Sequence, residues 1–329
     1  MATRCAAADA QFTGIPGGNA GPAGITIDAR GRLFVTDHAG LRVLSWPDAA
    51  VVGDSACQKA DELIPDLFGG PEAVVFDEIN STLFIADTGD HTVKGFRRDA
   101  TGAWKLQVTL GKSGTQGSTD DRFNFPRGLA VDADGRLFVA DDDNSRVLIF
   151  ASDAADGASC VDKISAGNNG GFIRPKGIAF ADNTLYVADY GDEFASERRG
   201  RVLRFPGPFD DPAKVYTADG ILKGGPIKHP IDLCIDGAGG ILITVHGDDT
   251  IPRSLQRFPD AKTSVWREDV DAVDSPVPEI QPEIHTEPLG VAAGGSGRIF
   301  LCDYRAFRIL VRTEPLPLRV KQDDTTCNS

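Results

Sequence analysis

The stretch PRGLAVDADGRLFVADDDNSRVLIF (126–150) decides the fold. Its three short apolar or alternating runs are separated by Asp, Gly and Asn residues, a pattern typical of antiparallel strands joined by tight turns. Similar stretches, each starting at a proline, are PAGITIDARGRLFVTD (22–37), PEAVVFDEINSTLFIAD (71–87), PKGIAFADNTLYVAD (175–189), PIDLCIDGAGGILITVH (230–246) and PLGVAAGGSGRIFLCD (288–303). The chain is therefore built from six copies of one unit.

A fourth run accompanies these units. The expected fourth strands are CAAADAQFTG (5–14), CQKADELIPD (57–66), KLQVTLG (105–111), CVDKISAG (160–167), AKVYTADG (213–220) and TSVWRED (263–269). Four short strands in a unit of about 50 residues are typical of a propeller blade. The sequence predicts an all-β, six-bladed propeller of four-stranded antiparallel blades.

The first expected strand precedes blade one, so we expect it to complete blade six and close the ring, which removes an exposed sheet edge. The predicted single domain divides into a closing strand, 1–20, and blades at 21–70, 71–125, 126–174, 175–229, 230–287 and 288–329. A disulfide between Cys5 and Cys327 is one possible pairing that would lock the ring, although sequence does not fix connectivity.

The composition limits the partners. A net charge of −14 argues against nucleic acid and anionic membranes, which need basic surfaces. No apolar run is long enough to span a membrane. Six cysteines permit an oxidising compartment, and MATRC at the start lacks the apolar core of a signal peptide. We expect a secreted, periplasmic or cell-surface monomer whose leader is absent, with a cytosolic protein as the alternative.

Residues 126–150 closely resemble an NHL repeat, whose pattern is Pro-x-Gly-apolar-Ala-Val-Asp, then Gly-x-Leu-Tyr-Val-Ala-Asp, then Asn-x-Arg-Val. The resemblance extends over essentially the whole chain and is weaker in the last two blades. It implies a six-bladed propeller, a fold that carries unrelated functions.

The functional face is expected where the Pro-x-Gly and the turn after the second strand lie, here called the upper face. Its loops are longest in blades four to six, which places the site there. The six x residues of Pro-x-Gly should surround the opening: Ala23, Glu72, Arg127, Lys176, Ile231 and Leu289. Arg127 and Lys176 are predicted to hold an anionic group opposite Glu72, with solvated surface charges as the alternative.

Blade five departs from the repeat. Its second strand is interpreted as ending in His246 where the other copies have Asp37, Asp87, Asp141, Asp189 and Asp303. Those carboxylates are predicted to accept backbone N–H groups in the turns, so they are structural. His246, His229 and His285 could bind zinc or another transition metal, with hydrogen-bonded surface histidines as the alternative.

Asp232 replaces the glycine of Pro-x-Gly in blade five. The propeller lyases of peptide amidation, which resemble this chain in fold, carry Pro-His-Asp there, and this resemblance implies a structural calcium at Asp232. Only one of their three zinc histidines has a counterpart here, His246, so that activity is not expected. Lactone-hydrolysing propellers are a neighbouring possibility, but their calcium ligands have no evident match.

Three further side chains are predicted to stand over the opening: Tyr190, Tyr304 and Arg305. They could bind a ligand or act as acid or base. His91 is expected to be structural and His38 exposed, while Cys234 and Cys302 are expected to be buried as small apolar residues. Two functions follow. The first is a module that binds a small molecule, glycan or protein, and the alternative is a metal-dependent lyase or hydrolase.

Overall fold

The computed structural model describes residues 10–12, 21–47, 61–64, 67–165, 171–192, 200–211, 214–223, 227–247, 253–258, 287–294 and 297–312. Within these ranges the regular structure is 23 β-strands and two single-turn 3₁₀ helices. The all-β prediction is confirmed. No helix in the described part of the chain has the length and apolar character needed to cross a membrane.

The described strands form six small antiparallel sheets, which we number in chain order. Sheet 1 contains β2 (Pro22–Ile27), β3 (Leu33–Asp37), β4 (Arg42–Trp46) and β5 (Asp61–Ile64). Sheet 2 contains β6 (Pro71–Asp77), β7 (Thr82–Asp87), β8 (Thr92–Arg98) and β9 (Trp104–Gly111). Sheet 3 contains β10 (Pro126–Val131), β11 (Leu137–Asp141), β12 (Arg146–Phe150) and β13 (Asp162–Ile164).

The remaining sheets follow the same order. Sheet 4 contains β14 (Pro175–Ala181), β15 (Thr184–Asp189), β16 (Arg201–Pro206) and β17 (Gly220–Lys223). Sheet 5 contains β18 (Pro230–Ile235), β19 (Ile241–Val245) and β20 (Ser254–Phe258). Sheet 6 contains β21 (Pro288–Ala293), β22 (Ile299–Asp303), β23 (Arg308–Arg312) and the N-terminal strand β1 (Ala10–Phe12).

The N-terminal strand lies where the sequence placed it. β1 pairs antiparallel with β23, so that Ala10 lies opposite Val311 and Phe12 opposite Ile309. Both ends of the described chain therefore belong to one sheet. Cys5 and Cys327, the suggested disulfide pair, lie outside the described residues.

Each first strand packs against the first strand of the next sheet, and β21 packs against β2, so the order of neighbours returns to its start. Glycine at Pro-x-Gly makes this approach possible. A Cβ on Gly128 would overlap the carbonyl oxygen of Lys176 on β14 and would also lie 2.9 Å from the backbone nitrogen of Ile178. The central strands are thus closer together than side chains at these positions would allow.

Two threonine hydroxyls fasten neighbouring sheets to each other. Thr36 Oγ1 accepts the backbone N–H of Gly24, 2.7 Å away, and donates to the carbonyl of Glu72 in sheet 2 at 3.1 Å. Thr244 repeats this arrangement between sheets 5 and 6, where its hydroxyl lies 2.8 Å from the carbonyl of Leu289. Both residues occupy the alanine position of the Val-Ala-Asp pattern, and the hydroxyl there satisfies buried backbone groups.

Apolar side chains fill the space between sheets. The second strand of each sheet is covered on both faces, and in β11 of sheet 3, for example, every residue is buried. Phe138 of sheet 3 stacks on Phe180 of sheet 4 with ring centroids 5.3 Å apart, and Phe209 meets Phe138 edge-to-face at the same distance. This layered burial explains why the second strands are continuously apolar and not alternating.

Two sequence interpretations were wrong in register. The fourth strand of sheet 4 is β17 (Gly220–Lys223) and not 213–220. Tyr216, which belongs to the predicted strand, lies outside the sheet, and its hydroxyl donates a hydrogen bond to Asp162 at 2.6 Å. In sheet 5, Val245 lies opposite Pro230, just as Asp141 lies opposite Pro126 in sheet 3. Val245 therefore takes the place of the repeat aspartate, and His246 follows it. The expected strand at 263–269 lies outside the described residues.

Candidate functional site

The first strands of the six sheets enclose a central cavity of about 520 Å³. Its deeper walls are largely apolar. They include Ile25, Ile27, Val74, Leu129, Val131, Ile178, Phe180, Leu233, Ile235 and Val291. The end of the cavity at the upper face is lined by polar and charged side chains, and we call it the mouth. The apolar part below it is called the shaft.

Most side chains of the mouth come from two positions of the repeat, each compared across the six units and here called a column. The x residues of Pro-x-Gly all line the cavity: Ala23, Glu72, Arg127, Lys176, Ile231 and Leu289. The structure thus brings together the six residues that the repeat placed around the opening. The second column is the residue that follows the repeat aspartate or its counterpart, and it contributes His38, Tyr190, His246 and Tyr304.

The guanidinium groups of Arg127 and Arg174, at the mouth, form ion pairs with carboxylates. Arg127 pairs with Glu72 through Nη1 and with Asp142 through Nε, 2.6 Å from Oδ2. Arg174 reaches the same Asp142, with Nε 3.1 Å from Oδ1. Asp142 is fully buried and bridges the two arginines, so these charges largely neutralise one another.

Lys176 differs from these arginines. Its Nζ lies 3.5 Å from the centre of the Tyr190 ring, and it makes no ion pair with any carboxylate of the described residues. Lys176 is half-buried and lines the cavity. Burial and the neighbouring positive Arg127 lower the pKa of Lys176 to about 8.

Tyr190 connects Lys176 to two histidines. Its hydroxyl lies 3.0 Å from Nδ1 of His246, and its backbone carbonyl lies 3.0 Å from Nδ1 of His229. The rings of Tyr190 and His229 are 4.7 Å apart. Burial lowers the pKa of His246, which keeps its imidazole neutral over a wider pH range.

These contacts bear on the predicted metal centre. The Nδ1 atoms of His229 and His246 are both engaged with Tyr190, and among the described residues no three His, Cys, Asp or Glu side chains are arranged to hold a metal ion. The described residues therefore do not fit a three-histidine site. His285 lies outside the described residues, so a metal site that includes it stays a prediction.

Asp232 faces the cavity between sheets 4 and 6. Its Oδ2 accepts the backbone N–H of Val291 at 3.0 Å, and its Cα lies against Gly177. Burial raises the pKa of Asp232 to about 7. The thiols of Cys234, on the cavity wall, and Cys302, buried, are its titratable neighbours, and their own pKa values are raised by burial. Calcium at Asp232 stays a prediction.

Replacing Asp232 by asparagine should increase stability at alkaline pH. Because the folded-state pKa lies above the usual 3.8, folding favours the protonated acid, so wild-type stability should fall as pH rises from 3.8 towards about 7. The asparagine amide stays neutral, and its oxygen can still accept the Val291 N–H. We expect Asp232→Asn to raise the free energy of unfolding at pH 8 by up to about 4 kcal/mol, with little change at pH 4.

Urea unfolding at both pH values, in the presence of EDTA, measures this difference. Asp134→Asn is the matched control because the Asp134 side chain is 79% exposed. An Asp232→Asn protein that is less stable than wild type at pH 8 would contradict the expectation. Stabilisation of the wild type, but not of Asp232→Asn, by added calcium would instead support the predicted calcium site.

The opposite part of the mouth centres on Tyr304. Its backbone N–H donates to the carbonyl of Glu287 at 3.0 Å, and its ring meets His38 with centroids 6.0 Å apart. Burial, followed by the negative Glu287, raises the pKa of Tyr304. Arg305 is half exposed and pairs with Glu287 at 2.5 Å outside the cavity lining. Tyr304 therefore lines the cavity, whereas Arg305 does not line it directly.

Two histidine expectations have different outcomes. The expectation that His38 is exposed was wrong, because it lines the cavity and its Nδ1 is buried without a hydrogen-bond partner among the described residues. His91 is structural, as expected: it caps the 3₁₀ helix Thr88–Asp90 with φ +56°, and its Nδ1 accepts the backbone N–H of Phe125 at 3.2 Å.

The five repeat aspartates are structural. Asp141 illustrates their arrangement: Oδ1 accepts the N–H of Asn124 at 2.7 Å, and Oδ2 receives both Asn144 and Arg146 at 2.8 Å. The accepted N–H groups belong mainly to the segment that precedes each first strand, and not only to the turn after the second strand. These carboxylates hold neighbouring segments of one unit together and are not available for catalysis.

Sequence reasoning missed three residues at or beside the mouth: Asp142, Arg174 and Glu287. Each has a fixed place in the repeat, since Asp142 follows the repeat aspartate and the other two precede the proline of a first strand. Reading every column of the repeat, and not only Pro-x-Gly, would have found them.

The sheets and the cavity define a protein with a β-propeller fold. The family model for the NHL repeat matches residues 123–150, which confirms the NHL-repeat prediction. No curated protein matches the chain.

Solved propeller structures resemble the chain along nearly its full length. One is virginiamycin B lyase from Staphylococcus aureus, with 13% identity, coverage of 94% of this chain and 99% of that one, and a TM-score of 0.54. A second is a gluconolactonase from Xanthomonas campestris, with 17% identity, 91% and 86% coverage, and a TM-score of 0.55.

A third is the PQQ domain of pyranose dehydrogenase from Coprinopsis cinerea, with 12% identity, 90% and 93% coverage, and a TM-score of 0.58. At such low identities these similarities concern the fold alone, and the chemistry of this chain has to be argued from its own cavity.

Proposed function

We propose that the protein is a six-bladed NHL-type propeller that binds a small anionic molecule in its central cavity. The six sheets, with their first strands in cyclic contact, are the proposed blades. A secreted or periplasmic location is part of this proposal as a prediction from the cysteine count.

The observation that carries the proposal is the state of Lys176. Its ammonium lines the cavity without a carboxylate partner among the described residues, whereas Arg127 and Arg174 beside it are paired. An enclosed cation without a counter-ion is unfavourable, and an anionic ligand would relieve this cost while forming a charge-assisted hydrogen bond. The apolar shaft below would receive the uncharged part of the ligand.

Matched pairs of small molecules test this proposal. We expect gluconate to bind more tightly than glucose, and benzoate more tightly than benzamide, in calorimetric titrations at pH 7. Lys176→Met should weaken anion binding about tenfold or more, since a hydrogen bond to a charged group contributes about 1.5–3 kcal/mol. Lys163→Met is the control, because Lys163 is half exposed and pairs with Asp120 at 2.8 Å.

Other outcomes would decide against the proposal. Equal binding within each pair, or equal weakening by both lysine substitutions, would show that the Lys176 charge does not select the ligand. Circular dichroism and urea unfolding would confirm that Lys176→Met is folded.

An enzymatic function is the second candidate, favoured by the Tyr190–His246 hydrogen bond. A phenol and an imidazole held 3.0 Å apart on a cavity wall form a pair that can exchange a proton with a bound molecule. This arrangement suits a lyase or hydrolase. Metal analysis of tag-free protein would test the metal-dependent form: stoichiometric zinc that is lost in His246→Ala would support it, and stability unaffected by chelators would oppose it.

A further inference from the structure

We propose that Lys176 forms a covalent imine with a small aldehyde or ketone bound in the central cavity. The inference rests on the proposed function for the position of the ligand and for its preference for carbonyl compounds that carry a negative charge. It adds a nucleophile to the site.

The amine of Lys176 is available for reaction. Two other described lysines have ammonium groups held by carboxylates: Lys94 Nζ lies 2.6 Å from Asp87 and 3.0 Å from Asp90, and Lys163 Nζ lies 2.8 Å from Asp120. Lys176 Nζ has no such partner in the described part of the chain and is held against the Tyr190 ring at the cavity wall. No ion pair has to break before it reacts.

The surroundings of Lys176 also favour its unprotonated, nucleophilic form. The positive charges of Arg127 and Arg174 disfavour the ammonium form of Lys176. The negative charges of Asp142 and Glu72 favour it. Burial has the largest effect, and the result is a pKa of about 8. Roughly a tenth of the amine is then unprotonated at pH 7, far more than for an ordinary lysine with a pKa near 10.4.

The site would also stabilise the product of the reaction. The Nζ lone pair attacks the carbonyl carbon, a C–N bond forms, and a proton moves to the carbonyl oxygen to give a carbinolamine. The nitrogen lone pair then forms the C=N bond as the C–O bond breaks, and the hydroxyl leaves as water with the remaining N–H proton, so no oxidant or reductant is involved. When protonated, this imine carries a positive charge at the same atom, so the cation–π contact with Tyr190 is retained.

Tyr190 is a positioning residue in this proposal. Its ring face contacts Nζ, and its hydroxyl is fixed by Nδ1 of His246 at 3.0 Å. The ring therefore holds the amine in one place on the cavity wall, which favours attack on a ligand bound there.

Reductive trapping tests the proposal. The full chain is incubated at pH 7.5 with limiting glyoxylate, an anionic aldehyde, and cyanoborohydride, and the labelled peptides are mapped by mass spectrometry. The adduct increases the peptide mass by that of the aldehyde less one oxygen atom. We expect Lys176 to be labelled at least tenfold faster than Lys163. Lys176→Arg, which keeps the charge but not the nucleophile, should lose this label, and Lys163→Arg should keep it.

The outcomes separate this inference from the proposed function. Equal labelling of Lys163 and Lys176 would overturn the imine, and intact gluconate binding in the same preparation would leave the anion site standing. Fast labelling of Lys176 by acetaldehyde but not by glyoxylate would support the imine and overturn the preference for anions. If neither aldehyde labels Lys176 in protein shown to be folded, the imine is wrong.

Discussion

Gly128→Ala should destabilise the protein by about 3 kcal/mol or more, since the new methyl group has no space. Its Cβ would overlap the Lys176 carbonyl oxygen and would lie 3.0 Å from Cα of Gly177 and 2.9 Å from the nitrogen of Ile178. All these atoms are backbone atoms of the neighbouring sheet, so no rotation of a side chain relieves the overlap. The strands β10 and β14 would have to separate.

The same substitution should impair the site. Because the displaced strand carries Lys176, its amine would move relative to Tyr190, and binding of gluconate should weaken in parallel with stability. Urea unfolding and calorimetric titration measure the two effects. Gly237→Ala is the matched control, since nothing lies within 4 Å of the Cβ that it adds. Equal stability of the two variants would show that β10 and β14 separate easily and that their close packing contributes little to stability.

Much of the fold could be predicted because it is local and repeated. Alternating or apolar runs between Asp and Gly turns define each strand, and a period of about 50 residues defines each sheet. Even the pairing of β1 with β23 was predictable, since a strand left over at the N-terminus has an edge to complete in the last sheet.

The error at His246 shows where such reasoning fails. The histidine was aligned with the repeat aspartates because it ends an apolar strand, yet Val245 lies opposite the proline and is fully buried. A shift of one residue changes the face of a strand on which every side chain lies. His246 belongs instead to the column of Tyr190 and Tyr304, which explains why it faces the cavity.

The chemistry of the mouth could not be predicted from single motifs. Sequence placed Glu72, Arg127 and Lys176 around one opening, but it did not show which of the two cations is paired. Arg127 pairs with Glu72 and also with Asp142, which was not among the candidates. Residues from three sheets decide this balance, and the paired Glu72 and Arg127 alone lie 55 positions apart in sequence. Only the packed structure shows that Arg127 is neutralised and that Lys176 lacks a carboxylate partner among the described residues.

Asp141→Ala should cost about 3–5 kcal/mol, the usual effect of removing one partner of a buried ion pair. Its carboxylate lies 2.8 Å from Nε of Arg146, whose side chain is only 8% exposed, and it also accepts the backbone N–H of Asn124. Without the carboxylate, this guanidinium keeps its hydrogen bonds to carbonyls but loses its buried counter-charge. Asp134→Ala, at an exposed position, should change stability by no more than about 0.5 kcal/mol.

A double-mutant cycle identifies the cause of this cost. If the unpaired charge dominates, Asp141→Ala combined with Arg146→Met should be less destabilising than the sum of the two single changes, because the charge left behind has also been removed. Strict additivity in urea unfolding would contradict this explanation and would assign the cost to the backbone N–H of Asn124. Sheet 5 already lacks the carboxylate, since Val245 stands in its place. In this sheet β18 pairs with β19 without a carboxylate at that position, and the residue that follows Val245, His246, lines the cavity.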